Sequence, residues 1–317
     1  MDTIGFVISQ KEHENRRALI PEDICKIKNK KYLYFEVGYG KCLGYSDEEY
    51  IKAGANIVTR EEALKQNIVC DPKIGDSEYL NCLSNQKIFG WIHAVQNRDI
   101  TDKILNSNLT AYAWEDMFEK GRHVFWKNNE IAGEAAVSHA FQCVGDVPNN
   151  KKVALIGRGN VATGALKILI SLGADVTIYN KHMESLLRDK IEEYDVIVNA
   201  LLWDTTREDH IIYTSDLKRM KKNSLIIDIS CDANGAVESS KPTTIENPIY
   251  EVNGVLHYVV DHTPSLVYKY ASRGISEAVV KYIDDMIEGN ENITLKNALI
   301  IEKGKIIDNR INIFQKR

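Results

Sequence analysis

The stretch KKVALIGRGNVATGALKILISLGADVTIYNK, residues 151–181, decides the fold. Val153–Ile156 is a short apolar run of the kind that forms a buried parallel strand. Gly157 and Gly159 follow, with Ala162 where a G-x-G-x-x-G/A fingerprint accepts glycine or alanine. Ala165, Leu166, Ile168, Leu169 and Leu172 then recur at helical spacing, and Asp175–Tyr179 reads as a second strand. Strand, glycine turn, helix and strand in that order satisfy the context a dinucleotide site requires. The glycines let backbone N–H groups approach a pyrophosphate, and the positive helix end, opening at Asn160 and Val161, faces it. The bland alternative is a glycine turn in an ordinary βαβ unit.

The end of the second strand bears on which nucleotide is taken. NAD sites usually place Asp or Glu there to bond the ribose 2′-OH. This chain has Asn180, then Lys181 and His182. A carboxylate would repel a 2′-phosphate, whereas an amide beside a cation would not, so NADP(H) is the expected cofactor and NAD(H) the alternative.

The 317 residues suffice for two domains of ordinary size. Hydrophobic residues make up 44% and charged residues 27%, the balance of a soluble globular protein. A net charge of −5 without a Lys/Arg stripe offers no footprint for nucleic acid. No apolar run reaches the length of a membrane span, and the first residues do not read as a signal peptide. Cys25, Cys42, Cys70, Cys82, Cys143 and Cys231 are scattered without a C-x-x-C pair. Reduced thiols, no metal site and a cytoplasmic location are therefore expected.

Outward from the glycine turn, short strands alternate with helices. Ile4–Ser9, Leu33–Val37, Ile57–Thr59, Ile68–Cys70 and Lys87–Ile92 read as strands, with helices from Pro21 to about Lys28, over Asp47–Ala53 and from Arg60. Glu130–Val144 reads as a helix leading into the glycine-turn domain. That domain continues through strands at Asp195–Leu201, Ser224–Ser230 and Val255–Val260, with a helical or turn segment at Tyr213–Met220. Ser272–Glu288 is amphipathic, with Ile275, Ala278, Val279, Tyr282, Ile283 and Met286 on one face. ALIIEKGKIID reads as a hairpin about Lys303-Gly304.

Several blocks resemble one family. ENRRALIP (14–21), Lys73 after a strand, FGWIHAV with His93, and the run from Ser224 to Val267 are similar to the alanine dehydrogenase family. That family also includes lysine-forming saccharopine dehydrogenase and N5-(carboxyethyl)ornithine synthase. The GWIH and TPSLVYKYAS stretches look closest to the carboxyethylornithine synthase branch, which has GWTH and TPSLIY, lacks the acid after the second strand and uses NADPH. The resemblance implies an α/β fold of two doubly wound, Rossmann-like domains with a cleft between them. The catalytic domain is discontinuous, 1–127 and 270–317, around a dinucleotide domain at 128–269. A homo-oligomer, a dimer or higher, is also implied.

By the same resemblance Arg16 binds the carboxylate of a 2-oxo acid, a task suited to a planar, permanently charged fork. Arg17 is the rival, read as a surface cation on the same loop. Lys73 and His93 are the acid–base pair, and Asp232 is the active-site aspartate. Asp228 is its rival and reads better as a structural acid at a strand end. His262 stands where the family has Asn, facing the nicotinamide. Trp114-Glu115 is a weaker candidate for the cleft lining, and His123, His139, His210 and His257 match nothing in the family.

The expected function is NADP(H)-dependent condensation of a 2-oxo acid, pyruvate, with the side-chain amine of ornithine or lysine. Alanine dehydrogenase, with ammonia as the amine, is the runner-up. A nucleotide-binding sensor without turnover is the third reading; such drift should have eroded Arg16, Lys73, His93 and Asp232, and all four are present. Asn180→Asp should reverse or narrow a preference for NADPH over NADH by placing a charge against the 2′-phosphate. Calorimetric titration of both nucleotides checks this, and equal binding in wild type and variant alike would refute it.

Overall fold

A computed structural model of the chain describes residues 1–204, 207–232 and 234–317. The chain divides into two compact units, Met1–Trp126 with Tyr268–Arg317, and Lys127–Val267. Both are α/β with largely parallel sheets. Among the described residues no helix is long and apolar enough to cross a membrane.

The first unit is built on an eight-stranded sheet. In spatial order its strands are Lys305–Ile306, Leu299–Glu302, Thr110–Ala113, Lys87–Gly90, Ile68–Cys70, Ile4–Phe6, Leu33–Glu36 and Asn56–Val58. The last six run parallel, and the terminal hairpin adds to Thr110–Ala113 antiparallel. Because both faces of a parallel sheet are covered, its strands are apolar throughout. Phe6 and Phe35 stack at 4.4 Å on one face, where Ile275, Val279, Ile283 and Met286 of the helix Tyr268–Glu288 pack in the same core. Val69, Ile88 and Ala111 point to the other face, with Ile74, Leu80, Ile104 and Ile300. Each of the larger side chains contributes about 1.5–3 kcal/mol by leaving water.

In the second unit the order is Asp175–Tyr179, Lys152–Ile156, Val196–Asn199, Leu225–Asp228, Val255–Tyr258 and Ile249–Val252. Five strands are parallel, and Ile249–Val252 closes the edge antiparallel as one arm of a hairpin. The register puts Val153 beside both Val176 and Val196, so the strand before the glycine turn lies between its two neighbours. The helix Asn160–Ser171 follows that turn, and the helix Trp126–Cys143 lies against it.

Several boundaries differ from the sequence reading. The first strand ends at Phe6 rather than Ser9, and the chain then runs irregularly to Pro21, where Arg17 N–H donates to Ser272 and Ile20 N–H to Ser276. Tertiary hydrogen bonds replace the ladder there. The helix from Pro21 stops at Ile24, and Tyr213–Met220 holds only a 3₁₀ turn at Asp216–Arg219. The helix Trp126–Cys143 begins four residues before Glu130. Arg98–Asn106, Thr110–Ala113 and Ile249–Val252 form elements that periodicity did not single out.

Helices 126–143 and 160–171 meet backbone to backbone. A Cβ on Gly133 would lie 2.0 Å from Val161 O, and one on Gly164 would lie 1.9 Å from Glu130 O. Gly-to-Ala in a helix ordinarily stabilises by about 0.5–1 kcal/mol. Here Gly164→Ala should destabilise the protein by about 1–3 kcal/mol, because the helices must separate. Urea unfolding of wild type and variant measures the sign.

Candidate active-site residues

In the first unit four strands that are neighbours in the sheet, Ile4–Phe6, Ile68–Cys70, Lys87–Gly90 and Thr110–Ala113, end at the same edge. The segments leaving them carry Arg16, Lys73, His93 and Glu115 in turn. Open α/β sheets bind ligands outside the carboxyl ends of their strands.

Arg16 is buried, 2% exposed, and its Nε and Nη2 donate to Glu14 at 2.8 and 2.5 Å. Its guanidinium lies 4.9 Å from the centre of the Trp91 ring. Burial works to raise the Glu14 carboxyl, but the charge and hydrogen bonds of Arg16, with the charge of Lys73, hold it below the ordinary range. Arg17 is not the surface cation expected. It is 3% exposed and donates to Tyr39 O and Arg16 O at 2.6 and 2.9 Å, because the loop it sits on turns inward against the helix Tyr268–Glu288. Two of its donors are thus spent on backbone carbonyls.

Lys73 is buried too, and its Nζ lies 3.6 Å from Asp76 Oδ2, which Lys11 Nζ meets at 3.1 Å. Desolvation acts to raise the Asp76 carboxyl, and the charges of Lys73, Lys11 and His93 together bring it below its ordinary value. Arg16, Glu14, Lys73, Asp76 and His93 therefore share one electrostatic neighbourhood.

His93 has φ 56°, a left-handed conformation uncommon for a residue with a Cβ. Its N–H donates to Glu115 Oε1 at 2.6 Å, and the N–H of Ile92 donates to Oε2 at 3.1 Å. One carboxylate thus takes two successive amides and holds the loop that carries the imidazole. Burial pushes the Glu115 carboxyl up to about 7, against the lowering pull of those backbone N–H groups. The sequence reading underweighted Glu115, and it did not weigh Glu14, Asp76 or Lys11 at all. Glu14 sits inside ENRRALIP, so proximity to Arg16 was an available signal; Glu115 had none beyond its place after a strand.

In the second unit Gly157 has φ 120°, and a Cβ there would meet Ala200 O at 2.7 Å. A Cβ on Gly159 would point into open space. Gly159 caps the helix Asn160–Ser171 without a side-chain bond, so the first-turn amides of Asn160 and Val161 lie at an uncapped helix end. An open approach and an uncapped helix end suit a pyrophosphate. Asn180 follows the neighbouring strand Asp175–Tyr179, and its Oδ1 accepts from His182 N–H at 2.9 Å, with Lys181 exposed beside it.

Asp228 and Asp232 differ in their surroundings. Asp228 is buried and accepts from Asn199, Ser240 and the N–H of Cys231. Asp232 is half-buried past the strand end, and burial first, then the Asp228 charge, push its carboxyl up to about 6. His262 is 5% exposed, with Nδ1 2.5 Å from Asp261 Oδ1. His123, His139, His210 and His257 bond Trp114 O, Tyr258, Gly235 O and Ser239 respectively, as structural histidines do.

Residues 8–131 match the family described as alanine dehydrogenase/PNT, N-terminal domain, and residues 180–311 match its C-terminal domain. An N(5)-(carboxyethyl)ornithine synthase of Clostridium botulinum is 32% identical over 298 residues, covering 88% of this chain and 93% of that protein. The chain belongs to the alanine dehydrogenase/PNT family. An N(5)-(carboxyethyl)ornithine synthase of Lactococcus lactis is also 32% identical, over 88% of this chain and 95% of its own length. Alanine dehydrogenase 1 of Staphylococcus aureus is 26% identical over 98% of this chain and 93% of that one. Among solved structures, an L-alanine dehydrogenase superposes with a TM-score of 0.84 at 22% identity, covering 99% of each chain. A transhydrogenase from Sinorhizobium meliloti gives 0.80 at 18% identity, over 96% of this chain and 100% of that one. The alanine dehydrogenase/PNT family is one of oxidoreductases that bind a nicotinamide nucleotide.

Glu115 carries a pH consequence. Its folded value, about 7, lies above the ordinary 4.5, so the neutral form is favoured by folding. Its contribution is fully present below about pH 4.5 and is lost as pH rises through 7, a change on the order of 3 kcal/mol. Urea unfolding of wild type at pH 5 and pH 8 should show a larger loss than Glu115→Gln does.

Proposed function

We propose that the protein catalyses NADP(H)-dependent reductive condensation of pyruvate, or a similar 2-oxo acid, with the side-chain amine of ornithine or lysine. The observation that carries the reading is the delivery of Arg16, Lys73 and His93 by consecutive parallel strands to one sheet edge. The relatives named N(5)-(carboxyethyl)ornithine synthase support the substrate class. The chain acts as a cytoplasmic homo-oligomer on this reading.

Arg16, held in place by Glu14, binds the oxo acid carboxylate. Lys73 polarises the ketone oxygen, and His93 accepts the proton that the incoming amine sheds as nitrogen bonds to the carbonyl carbon. The same pair returns protons to the carbinolamine oxygen, so that it leaves as water and a substrate imine remains. Asp232 orients the carbinolamine or takes a proton from the approaching ammonium. Gly157, Gly159, Asn160 and Val161 hold the nucleotide pyrophosphate, and Asn180 with Lys181 accept its 2′-phosphate. His262, which replaces the family Asn, would face the nicotinamide. When bound, the reduced nucleotide supplies the hydride that converts the imine carbon to the amine.

Alanine dehydrogenase activity is the second reading, favoured by the 26% identity to Alanine dehydrogenase 1 over nearly the whole chain. Mass spectrometry of reactions containing NADPH, pyruvate and each of ornithine, lysine and ammonia separates the two. A carboxyethyl amino acid is the expected product; alanine alone would establish the second reading. The rate with ornithine or lysine should rise from pH 7 toward about 9, as more of an amine with a pKa near 10.4 is neutral. Lys73→Ala and His93→Ala should each lower turnover by about 10²–10⁴-fold and leave nucleotide affinity nearly unchanged. Full activity in either variant would remove that residue from the mechanism.

A further inference from the structure

Arg207 ties its own loop in the second unit to the start of the helix Glu184–Asp189. Its Nη1 and Nη2 donate to the two carboxylate oxygens of Glu184, each at 2.9 Å. Its Nε and Nη2 donate to those of Asp209, each at 2.8 Å. The guanidinium also lies 4.5 Å from the centre of the Trp203 ring. Four of its five N–H donors are thereby engaged by two acids.

The place of this node gives it meaning. Strands Asp175–Tyr179 and Val196–Asn199 flank Lys152–Ile156 and run parallel to it. The loops that leave their carboxyl ends therefore border the glycine turn, one on each side. Glu184 opens the short helix Glu184–Asp189 that ends the first of these loops, and Arg207 lies in the second. Glu184 is also the first carboxylate after the strand end, following Asn180, Lys181, His182 and Met183. An acid in that region is what selects a ribose with a free 2′-OH. Here two parallel bonds to a guanidinium neutralise it.

We propose that Arg207 sets the nucleotide preference by masking Glu184, so that this carboxylate is not free to repel a 2′-phosphate at the mouth of the adenosine site. The inference rests on the NADP(H) reading above and deepens it. Without the guanidinium, Glu184 becomes an acceptor for a 2′-OH and a source of repulsion for a 2′-phosphate. Direct capture of the phosphate by Arg207 is the competing account. It would require displacing a carboxylate from the fork and leaving that charge beside the phosphate.

Calorimetric titration of the full chain with adenosine 2′,5′-bisphosphate and with 5′-AMP tests the inference without turnover. Wild type should bind the bisphosphate about tenfold or more tightly than 5′-AMP. Arg207→Met should lower bisphosphate affinity by about tenfold, the order an unmasked charge at Glu184 produces, and leave 5′-AMP affinity unchanged or raise it by a few-fold, since Glu184 can then accept from the 2′-OH. Glu184→Gln combined with Arg207→Met should return the ratio to within about threefold of wild type, since of the two acids that Arg207 holds only Glu184 follows the strand Asp175–Tyr179, and Asp209 stays on the other loop. A double variant as weak for the bisphosphate as the single one overturns masking in favour of direct capture. An unchanged ratio in Arg207→Met overturns it as well. If Arg207→Met does not fold, the double variant decides alone by the same criterion. Wild type binding both ligands alike overturns the NADP(H) reading and this inference together; a wild-type preference with a failed double variant overturns only the inference.

Discussion

Parallel pairing is the constraint on which the rest depends. Strands that run parallel finish at the same edge of their sheet, so residues distant in sequence are presented on one side. Ile4–Phe6, Ile68–Cys70, Lys87–Gly90 and Thr110–Ala113 are such a set, and Arg16, Lys73, His93 and Glu115 follow them. The same rule operates in the second unit, where the glycine turn, Asn180 and the loop bearing Arg207 follow three adjacent strands. The apolar strands supply stability, while the irregular segments after them carry the polar groups.

Those polar groups are held as pairs and networks because isolated charges are costly to bury. Glu14 fixes the plane of the Arg16 fork, and Asp76 stands between Lys73 and Lys11. Glu115 works differently. It accepts two backbone amides, and burial raises it toward neutrality while those amides stabilise the charged form. The left-handed backbone of His93 persists because this carboxylate over-determines the loop.

The nucleotide unit is governed by close backbone approach. Gly133 and Gly164 allow two helices to meet at distances no Cβ would permit, and Gly157 lets its turn pass against Ala200. Gly159 differs, since the space beside it is open, and this is where a pyrophosphate would gain access. One glycine-rich run thus serves both packing and ligand approach.

The sequence alone determined the α/β class, because strand, glycine turn and helix are written in local periodicity and in residues that relieve backbone sterics. It also made Arg16, Lys73, His93 and Asp232 legible as candidates, since they lie in blocks that resemble one family. It determined less about where elements stop: past Phe6 the N–H of Ile8 turns to the Glu36 carboxylate, and further on the amides of Arg17 and Ile20 find hydroxyl partners 255 and 256 residues away in sequence. Only the tertiary structure decided that Arg17 is buried and spent on carbonyls, that Glu115 holds the His93 loop, and that Arg207 reaches Glu184 across 23 residues. The reason is physical. Periodicity records which face of an element is buried, whereas a buried charge and its partner depend on strand order and on the paths of loops, which no local pattern encodes.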